Sequence, residues 1–263
     1  MHFYWFLYIS NSVTSASRTE ILMKRTIEVC SCSVDAVMEA AAGGAARVEL
    51  CSLLSCGGIT PSAGMISQAR AACGQSGLQL HVLIRPREGD FVYNESEIQT
   101  MIEDIRFCAQ AGADGVVIGA LTKDGGLDID TCRRLAEAAG TMHKTFHRAF
   151  DVCANPSEAL EQIISLGFDR LLTSGQKPDA LSGASLIASL VQQSAGRIII
   201  MPGAGINPAN IAEIQRLTGA AEFHSSARAP IHRPGTEKGS EAFGTLSELR
   251  TCSEVVRALV YGG

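Results

Sequence analysis

The 263-residue chain lacks a surplus of basic residues, a long apolar run and an even number of cysteines. It has 22 Lys and Arg against 27 Asp and Glu, which gives a formal charge of −5. An acidic chain has no basic stripe with which to release counterions from nucleic acid or from an anionic lipid surface. No apolar stretch approaches the roughly 20 residues that cross a bilayer. We therefore expect neither a nucleic-acid partner nor a membrane partner.

The nine cysteines do not form the pattern of a small secreted disulfide scaffold, which has an even number at close spacing. Five of them occur singly in segments that have the pattern of a helix or a strand. Cysteine is among the most buried residue types, so these five are interpreted as small core residues: Cys73, Cys108, Cys132, Cys153 and Cys252. This usage predicts a reducing, cytoplasmic location.

The first 22 residues differ in composition from the rest. Residues 1–9 hold five of the fourteen aromatic residues (nine Phe, four Tyr and one Trp), and a Ser/Thr/Asn-rich stretch follows. A short apolar run before small residues suggests a secretory signal, but no Lys or Arg precedes it, and the cysteine usage downstream argues against export. We predict a disordered leader over 1–22, or an upstream start before Met23, followed by one domain over 23–263.

Short apolar, β-branched runs alternate with helical patterns from residue 26 onward. Runs of this kind are typical of parallel strands that are covered on both faces. Between the third and fourth runs, Ile98, Met101 and Ile105 keep helical spacing behind Ser96, a candidate N-cap. Asn-Pro pairs at 155–156 and 207–208 predict two further helix starts. The predicted strands are 26–30, 47–51, 78–85, 115–121, 144–150, 170–174, 197–201 and 222–226.

One helix exit is repeated four times, with a glycine just before the next strand. Glycine at this place allows the left-handed residue that ends a helix. The four copies are Gly44, Gly112, Gly167 and Gly219. Eight strands with intervening helices in about 200 residues predict an α/β fold, a single-domain (β/α)8 TIM barrel. A doubly wound open sheet is the alternative, weakened because no Gly-x-Gly-x-x-Gly motif follows the first strand.

The first two predicted strands end in the same triplet, Glu28-Val-Cys30 and Glu49-Leu-Cys51. Alternation along a strand places the acid and the thiol of each triplet on one face, and neighbouring strands lie ~4.8 Å apart. Two soft thiols at matching heights can share one ion, and with no histidine nearby in the sequence they favour Cu(I) over zinc, which takes four ligands. The alternative is that Cys30 and Cys51 only pack inside the barrel.

Two arginines follow the third predicted strand. Arg85 and Arg87 are two residues apart, with a proline between them that fixes the backbone, and we expect them to share a face. The planar guanidinium suits a carboxylate or phosphate group, so both are candidate anion-binding residues. The alternative is an ion-pair network at the barrel mouth with Glu28, Glu49 and Asp90.

The later strand ends carry candidates for proton transfer and for phosphate binding. His147 follows the fifth strand among carboxylates and arginines, which makes it the best candidate for proton transfer, although a lone histidine is often structural. Small residues lead from the seventh strand toward a helix start, a geometry that binds anions in barrels of this class, although a tight turn also needs glycine. The candidates there are Gly203, Gly205 and Ser225.

Eight segments, in order, resemble the copper homeostasis protein family CutC. The likeness covers most of the chain, from about Met23 to Arg228. The resemblance implies a (β/α)8 barrel, a cytoplasmic location, a homo-oligomer (dimer or tetramer), and copper(I) bound by Cys30 and Cys51. The segments are IEVC (27–30), RVELC (47–51), GGITPS (57–62), IRPREGDF (84–91), TFHRAFD (145–151), LTSGQ (172–176), MPGAGI (201–206) and EFHSSA (222–227).

Two departures from the family pattern stand out: Cys32 and Cys56 are additional sulfurs, and residues 229–263 differ from the usual tail. Two functions stay open. In the first, the protein binds Cu(I) through its strand-end thiols and takes part in copper homeostasis. In the second, it is an enzyme that acts on a small anionic, for example phosphorylated, substrate. There the anion would be held by Arg85, Arg87 and the loop 203–205, and the proton moved by Glu28, Glu49 or His147.

Overall fold

The computed structural model describes residues 25–74, 76–231 and 248–262, so the predicted leader over 1–22 lies outside the described residues. Eight parallel strands alternate with helices, and an antiparallel ribbon of two strands follows them. The strands are β1 Thr26–Ser31, β2 Arg47–Leu50, β3 Gln79–Leu83, β4 Gly115–Ile118, β5 His143–Phe146, β6 Arg170–Thr173, β7 Ile199–Pro202, β8 Glu222–Ser225, β9 Arg228–Ile231 and β10 Glu248–Thr251.

Eight α-helices cover the outside of the sheet, and two short 3₁₀ turns follow β2 and β5. The helices are α1 Val34–Gly43, α2 Ala63–Cys73, α3 Glu95–Gln110, α4 Ile129–Ala139, α5 Pro156–Ser165, α6 Ala184–Ser194, α7 Ile211–Thr218 and α8 Ser253–Tyr261, and the 3₁₀ turns are Leu54–Cys56 and Arg148–Val152. In the described part of the chain, none of these helices combines the length and the apolar character that a bilayer crossing requires.

The sheet runs in the order β7-β6-β5-β4-β3-β2-β1-β8, and all its neighbouring strands are parallel. Because β8 pairs with β1, with Glu28 opposite His224, the sheet curls round until its two outer strands, β7 and β8, lie in contact. This arrangement is a TIM barrel and confirms the predicted fold. All eight predicted strands are present, and most of them end earlier than the sequence pattern indicated.

The ends of the helices follow from local hydrogen bonding. All four predicted exit glycines have a positive φ, from 71° to 85°. Asn155 caps α5 as predicted, with proline in the first turn. The prediction of Ser96 as the cap of α3 is wrong, because Asn94 accepts the Glu97 N–H while the Glu97 carboxylate accepts the Asn94 N–H. This capping box starts α3 two residues earlier than Ser96 would.

The two faces of the strands have different chemistry. The outward face carries fully buried aliphatic residues such as Val29, Val48 and Val82, which form one core with the helices. This core includes Cys73, Cys108, Cys132 and Cys153, as expected for small apolar residues, whereas Cys252 is only half-buried. The inward face carries acids, arginines, histidines and thiols. The chemistry of the molecule therefore lies inside the barrel.

Candidate functional site at the mouth of the barrel

A cavity of about 460 Å³ opens at the carboxyl ends of the strands. This is the end of a TIM barrel at which functional residues collect. Six of the ten candidate site residues line the cavity: Cys30, Glu49, Arg85, His147, Gly205 and Ser225. Four others, Glu28, Cys51, Arg87 and Gly203, lie nearby without lining it.

Charged residues fill the barrel below the cavity, and each carboxylate there is paired. Arg47 lies between two acids: its Nε donates to the Glu28 carboxylate, and its Nη2 donates to Glu222 at 2.7 Å. Arg170 Nε donates to the same Glu222 oxygen at 2.8 Å. Burial alone would raise the pKa of Glu28, but attraction by Arg47 and a hydrogen bond from His224 hold it well below the usual range. Glu28 is therefore a fixed, ionised member of this network.

His224 connects the buried network to the cavity. Its Nδ1 lies 2.8 Å from Glu28 Oε1, and its Nε2 lies 3.6 Å from Glu49 Oε2. Burial works against the protonated ring, but the hydrogen bond to Glu28 and the charges of Glu49 and Glu28 raise the pKa of His224 above its ordinary value. Burial raises the pKa of Glu49, and the nearby charge of Glu28 adds to the effect although His224 opposes it.

The two strand-end thiols lie side by side, with Cys30 Sγ 3.6 Å from Cys51 Sγ. Cys30 is 6% exposed and Cys51 is 1% exposed. The contact with Cys51, burial and the neighbouring Glu49 raise the pKa of Cys30 well above the ordinary range. Gly58 packs directly on this pair, because a Cβ there would lie 3.3 Å from Cys51 Cβ and 2.7 Å from Leu83 Cδ2. The thiol of Cys51 is thus covered by the loop after β2, while that of Cys30 faces the cavity.

Cys30, Glu49 and His224 form a group with metal-ligating chemistry. One ligand atom of each lies within 4.8 Å of the others. His224 was not among the metal ligands predicted from the sequence, which noted the absence of a histidine near the cysteines. The only signal that could have found it is the closure of β8 onto β1, which places the β8 histidine beside the first strand.

Arg85 lines the cavity but does not pair with Glu28 or Glu49, so that part of the alternative ion-pair network is wrong. Its Nη1 donates to the carbonyl oxygens of Cys56 and Gly58 at 3.0 and 2.9 Å, and its Nη2 donates to the Gly89 carbonyl oxygen at 2.7 Å. Its Nε is buried and has no hydrogen-bond partner within the part of the chain that the structure describes. Arg85 therefore connects the loop after β2 with the loop after β3, and its Nε–H is a donor that these contacts do not use.

Arg87 does not share the face of Arg85, contrary to the prediction. Its Nε donates to Glu97 at 2.5 Å, its Nη2 donates to Asp90 at 3.0 Å, and its guanidinium carbon lies 5.4 Å from the centre of the Tyr93 ring. The reason is that β3 ends at Leu83, so strand alternation no longer applies at residue 87. The predicted pairing with Asp90 exists, but at the surface.

His147 is buried against Phe91, with the ring centres 5.0 Å apart. Its Nδ1 accepts the Ala149 N–H at 3.2 Å, while its Nε2 has no partner among the described residues. Burial and the positive charge of Arg85 lower the pKa of His147 to about 3, so the ring is neutral near pH 7. Because Nδ1 accepts a hydrogen bond, Nε2 carries the ring hydrogen. His147 is therefore arranged as a neutral donor.

The loop residues predicted to bind an anion are used in different ways. Gly203 allows close packing of strands, because a Cβ there would lie 2.5 Å from Leu172 Cδ1. Gly205, with φ 74°, borders the cavity. The Ser225 hydroxyl also borders it but donates to the Ile206 carbonyl oxygen at 2.7 Å, so it holds the loop in place.

Two further arginines that were not singled out from the sequence line the cavity, Arg148 and Arg228. Arg148 Nε donates to Asp151 at 2.7 Å, and its Nη2 donates to Ser174 Oγ at 3.1 Å. With Arg85, these residues surround the opening with positive charge, while Glu49 and His224 lie deeper. The cavity thus has the thiol of Cys30 and the carboxyl group of Glu49 at its base and guanidinium groups at its rim.

The CutC family model matches residues 25–229, which include all eight strands of the barrel. A CutC family protein of Parabacteroides distasonis is 53% identical over 210 residues, 80% of this chain and 86% of that protein. One of Chromobacterium violaceum is 44% identical over 243 residues, 90% of this chain and 97% of that protein. The solved structure of CutC from Streptococcus agalactiae, a protein named for copper homeostasis, is 32% identical with a TM-score of 0.74, and covers 77% of this chain and 98% of that one.

Proposed function

The chain belongs to the CutC family of copper homeostasis proteins, and on that premise we propose that it binds Cu(I) between the thiols of Cys30 and Cys51. The observation that carries the proposal is the separation of 3.6 Å between the two sulfur atoms. A thiolate lies ~2.3 Å from a metal such as zinc, so two sulfurs up to ~4.6 Å apart can hold one ion. The two sulfurs are therefore within reach of a single metal ion.

The chemistry of the ligands supports copper(I) over harder ions. Thiolate ligands select Cu(I), whereas carboxylate and water oxygens suit magnesium and calcium. The loop over Cys51 and the burial of both thiols limit the contact of water with the sulfurs. Binding must remove protons, and the raised pKa of Cys30 means that a proton is released near neutral pH when copper enters.

A zinc-type site is the main competitor at the same place. Cys30, Glu49 and His224 would supply three ligands, and Glu28 at 2.8 Å would orient the His224 ring, as carboxylates do for metal-bound histidines. This set leaves out Cys51, whereas the Cu(I) site requires it. The two proposals therefore differ in whether one or two sulfurs contact the metal.

X-ray absorption at the copper edge of protein loaded anaerobically with one equivalent of Cu(I) tests the proposal. We expect two sulfur neighbours in the native protein and their loss in Cys51→Ala, with the native spectrum kept in Cys108→Ala, which changes a fully buried helix cysteine instead. A spectrum with a single sulfur, unchanged by Cys51→Ala, would assign the metal to Cys30, Glu49 and His224.

We place the protein in the cytoplasm and propose that it assembles as a homo-oligomer, a dimer or tetramer. Its nine free cysteines are typical of a reducing compartment, where thiols stay available for Cu(I). Fractionation of the native host followed by size-exclusion chromatography with light scattering tests both statements. Protein in an exported fraction, or a monomer at micromolar concentration, would contradict them.

We infer a second candidate function at the same cavity, the binding and conversion of a small anionic substrate. The observations in its favour are that Arg85, His147 and Arg148 line the cavity, and that Arg85 Nε and His147 Nε2 have no hydrogen-bond partner among the described residues. The cavity of about 460 Å³ has the size of a small-molecule site. Glu49, whose pKa is raised by burial, is the group suited to move a proton, while Glu28 is held ionised and His147 donates a hydrogen bond.

A thermal-shift screen with small phosphorylated and carboxylated metabolites tests this function. We expect at least one of them to raise the melting temperature of the native protein and of Arg87→Gln, whose side chain lies outside the cavity. The shift should disappear in Arg148→Gln. If no anion in the screen stabilises the protein, the enzyme hypothesis is contradicted and copper binding is the one proposed function that is left.

A further inference from the structure

A second cavity, of about 630 Å³, lies beside the first, between α1, the 3₁₀ turn after β2 and the β9–β10 ribbon. Cys30, Leu54 and Arg228 line both cavities, so the two share a wall. One side of Cys30 therefore faces the mouth of the barrel and the other faces this second space. The second cavity is a path from the surface to the thiol pair that does not pass through the mouth.

Sulfur is concentrated along this path. Four of the thirteen described residues that line the second cavity carry a sulfur atom: Cys30, Cys32, Met38 and Cys252. They come from three separate places in the chain, namely the end of β1, helix α1 and the cap of α8. Their exposure is graded, since Cys30 is buried, Cys252 is half-buried, Cys32 is exposed and Met38 is 59% exposed. Thiol and thioether sulfurs are the soft ligands that select Cu(I).

The charge beside Cys30 bears on the form in which copper would arrive. Two arginines, Arg228 and Arg250, and two acids, Asp35 and Glu39, line the second cavity, so its lining as a whole is balanced in charge. Arg228 is exposed and lines both cavities, so its positive charge lies at the wall that they share with Cys30. A guanidinium group repels a bare cation and attracts an anion. A Cu(I) ion held by two thiolates carries a net charge of −1, so it is the form that Arg228 attracts.

We propose that the second cavity receives Cu(I) bound to a small anionic thiol and that Cys32, with Met38 and Cys252 beside it, passes the ion to Cys30 and Cys51. The proposal rests on the proposed Cu(I) site and adds the donor and the route to it. At each step a Cu–S bond forms to a protein sulfur as a Cu–S bond to the donor breaks. The proton lost by the protein thiol goes to the released donor thiolate, and copper stays Cu(I) throughout.

Uptake kinetics from a Cu(I)–glutathione complex, measured anaerobically, test the route. Protein is separated from the donor by rapid gel filtration at timed intervals, and its copper content is measured. We expect the double variant Cys32→Ala/Met38→Leu to take up copper at least about tenfold more slowly, because ligand exchange depends on an accessible attacking sulfur. Its final copper content should equal that of the native protein. Cys132→Ala, a fully buried helix cysteine, is the matched control and should be unchanged.

A second arm tests the charge of the donor. Arg228→Gln should slow uptake from the anionic glutathione complex but not from the cationic Cu(I)–acetonitrile complex. Equal rates for the native protein and the double variant would overturn the route and leave the Cu(I) site intact. A lower final copper content in Cys32→Ala would also overturn it, because Cys32 would then be a ligand of the resting site. A native protein that takes up no copper from either donor would overturn the proposed function and the route together.

Discussion

The barrel interior has two levels, a lower one and one at the mouth, and they differ in how their charged groups are paired. At the lower level each carboxylate meets an arginine: Glu28 is bound by Arg47, and Glu222 is bound by both Arg47 and Arg170. At the mouth, Arg85 faces no carboxylate, its Nε has no partner in the described chain, and the thiols of Cys30 and Cys51 lie side by side. The lower level has its carboxylates neutralised internally, although Arg170 Nη1 and both ring nitrogens of His81 have no hydrogen-bond partner among the described residues. The mouth instead has an arginine without a carboxylate and thiols that can bind a ligand.

This difference separates what the fold requires from what a ligand requires. A buried charge without a partner is costly, so the lower network must stay complete for the barrel to be stable. Groups left unsatisfied at a mouth are typical of a binding site, where substitutions often cost little stability. Substitutions at the two levels should therefore have different consequences, and the following predictions measure how different they are.

The largest effect is expected at the lower level. Arg47→Met removes the cation that binds both Glu28 and Glu222 and leaves buried carboxylates unpaired. We expect the free energy of unfolding, measured by urea denaturation, to fall by about 3–5 kcal/mol. Arg87→Met is the control, because it breaks ion pairs near the surface together with hydrogen bonds to loop carbonyl oxygens, and it should cost about 1–2 kcal/mol. Equal losses for the two variants would contradict the comparison.

A smaller effect is expected for the arginine of the mouth. Arg85→Met leaves three loop carbonyl oxygens without their donor but no carboxylate without its cation. We expect a loss of about 1–3 kcal/mol in the same urea experiment, the cost of a lost buried hydrogen-bonded group. A loss as large as that of Arg47→Met would show that Arg85 belongs to the structural network.

Acid should destabilise the protein gradually below neutral pH. Burial lowers the pKa values of His147 and His81 to about 3, whereas an unfolded histidine titrates near 6.5. Between these values the unfolded chain binds more protons, so stability falls as the pH is lowered, by roughly 1.4 kcal/mol per pH unit for each histidine. His147→Gln should reduce this slope. Identical slopes for the native protein and His147→Gln would contradict a lowered pKa of His147 in the folded state.

The barrel and the side chains that face its interior at the ends of β1 and β2 could be predicted from the sequence, because both follow from the alternation of residues within short segments. Glu28 and Cys30, and Glu49 and Cys51, fall within or directly after β1 and β2, where alternation decides the face of each side chain. The same rule failed for Arg87, because β3 ends four residues earlier and the chain turns toward α3. A pattern within a strand therefore predicted side-chain direction, and a pattern beyond its end did not.

The central histidine could not be predicted for a different reason. His224 meets Glu28 only because β8 pairs with β1, a contact between the two ends of the barrel. Periodicity describes neighbours in the sequence and carries no information about which strands close the sheet. Likewise, the alternative that paired Arg85 with Glu28 and Glu49 is wrong, because Arg85 donates to carbonyl oxygens of loops whose paths no local pattern determines.

An anaerobic titration of Cu(I) against a competing chromogenic chelator tests the central claim most directly, that the free groups of the mouth include a copper(I) site made by Cys30 and Cys51. The native protein and Cys73→Ala/Cys108→Ala, which alters two fully buried helix cysteines, should both withdraw a single Cu(I) ion from the chelator. Cys30→Ala/Cys51→Ala should withdraw none while keeping most of its stability. If the Cys30→Ala/Cys51→Ala protein competes for Cu(I) as well as the native protein, the account is contradicted. The two strand-end thiols would then only pack in the core.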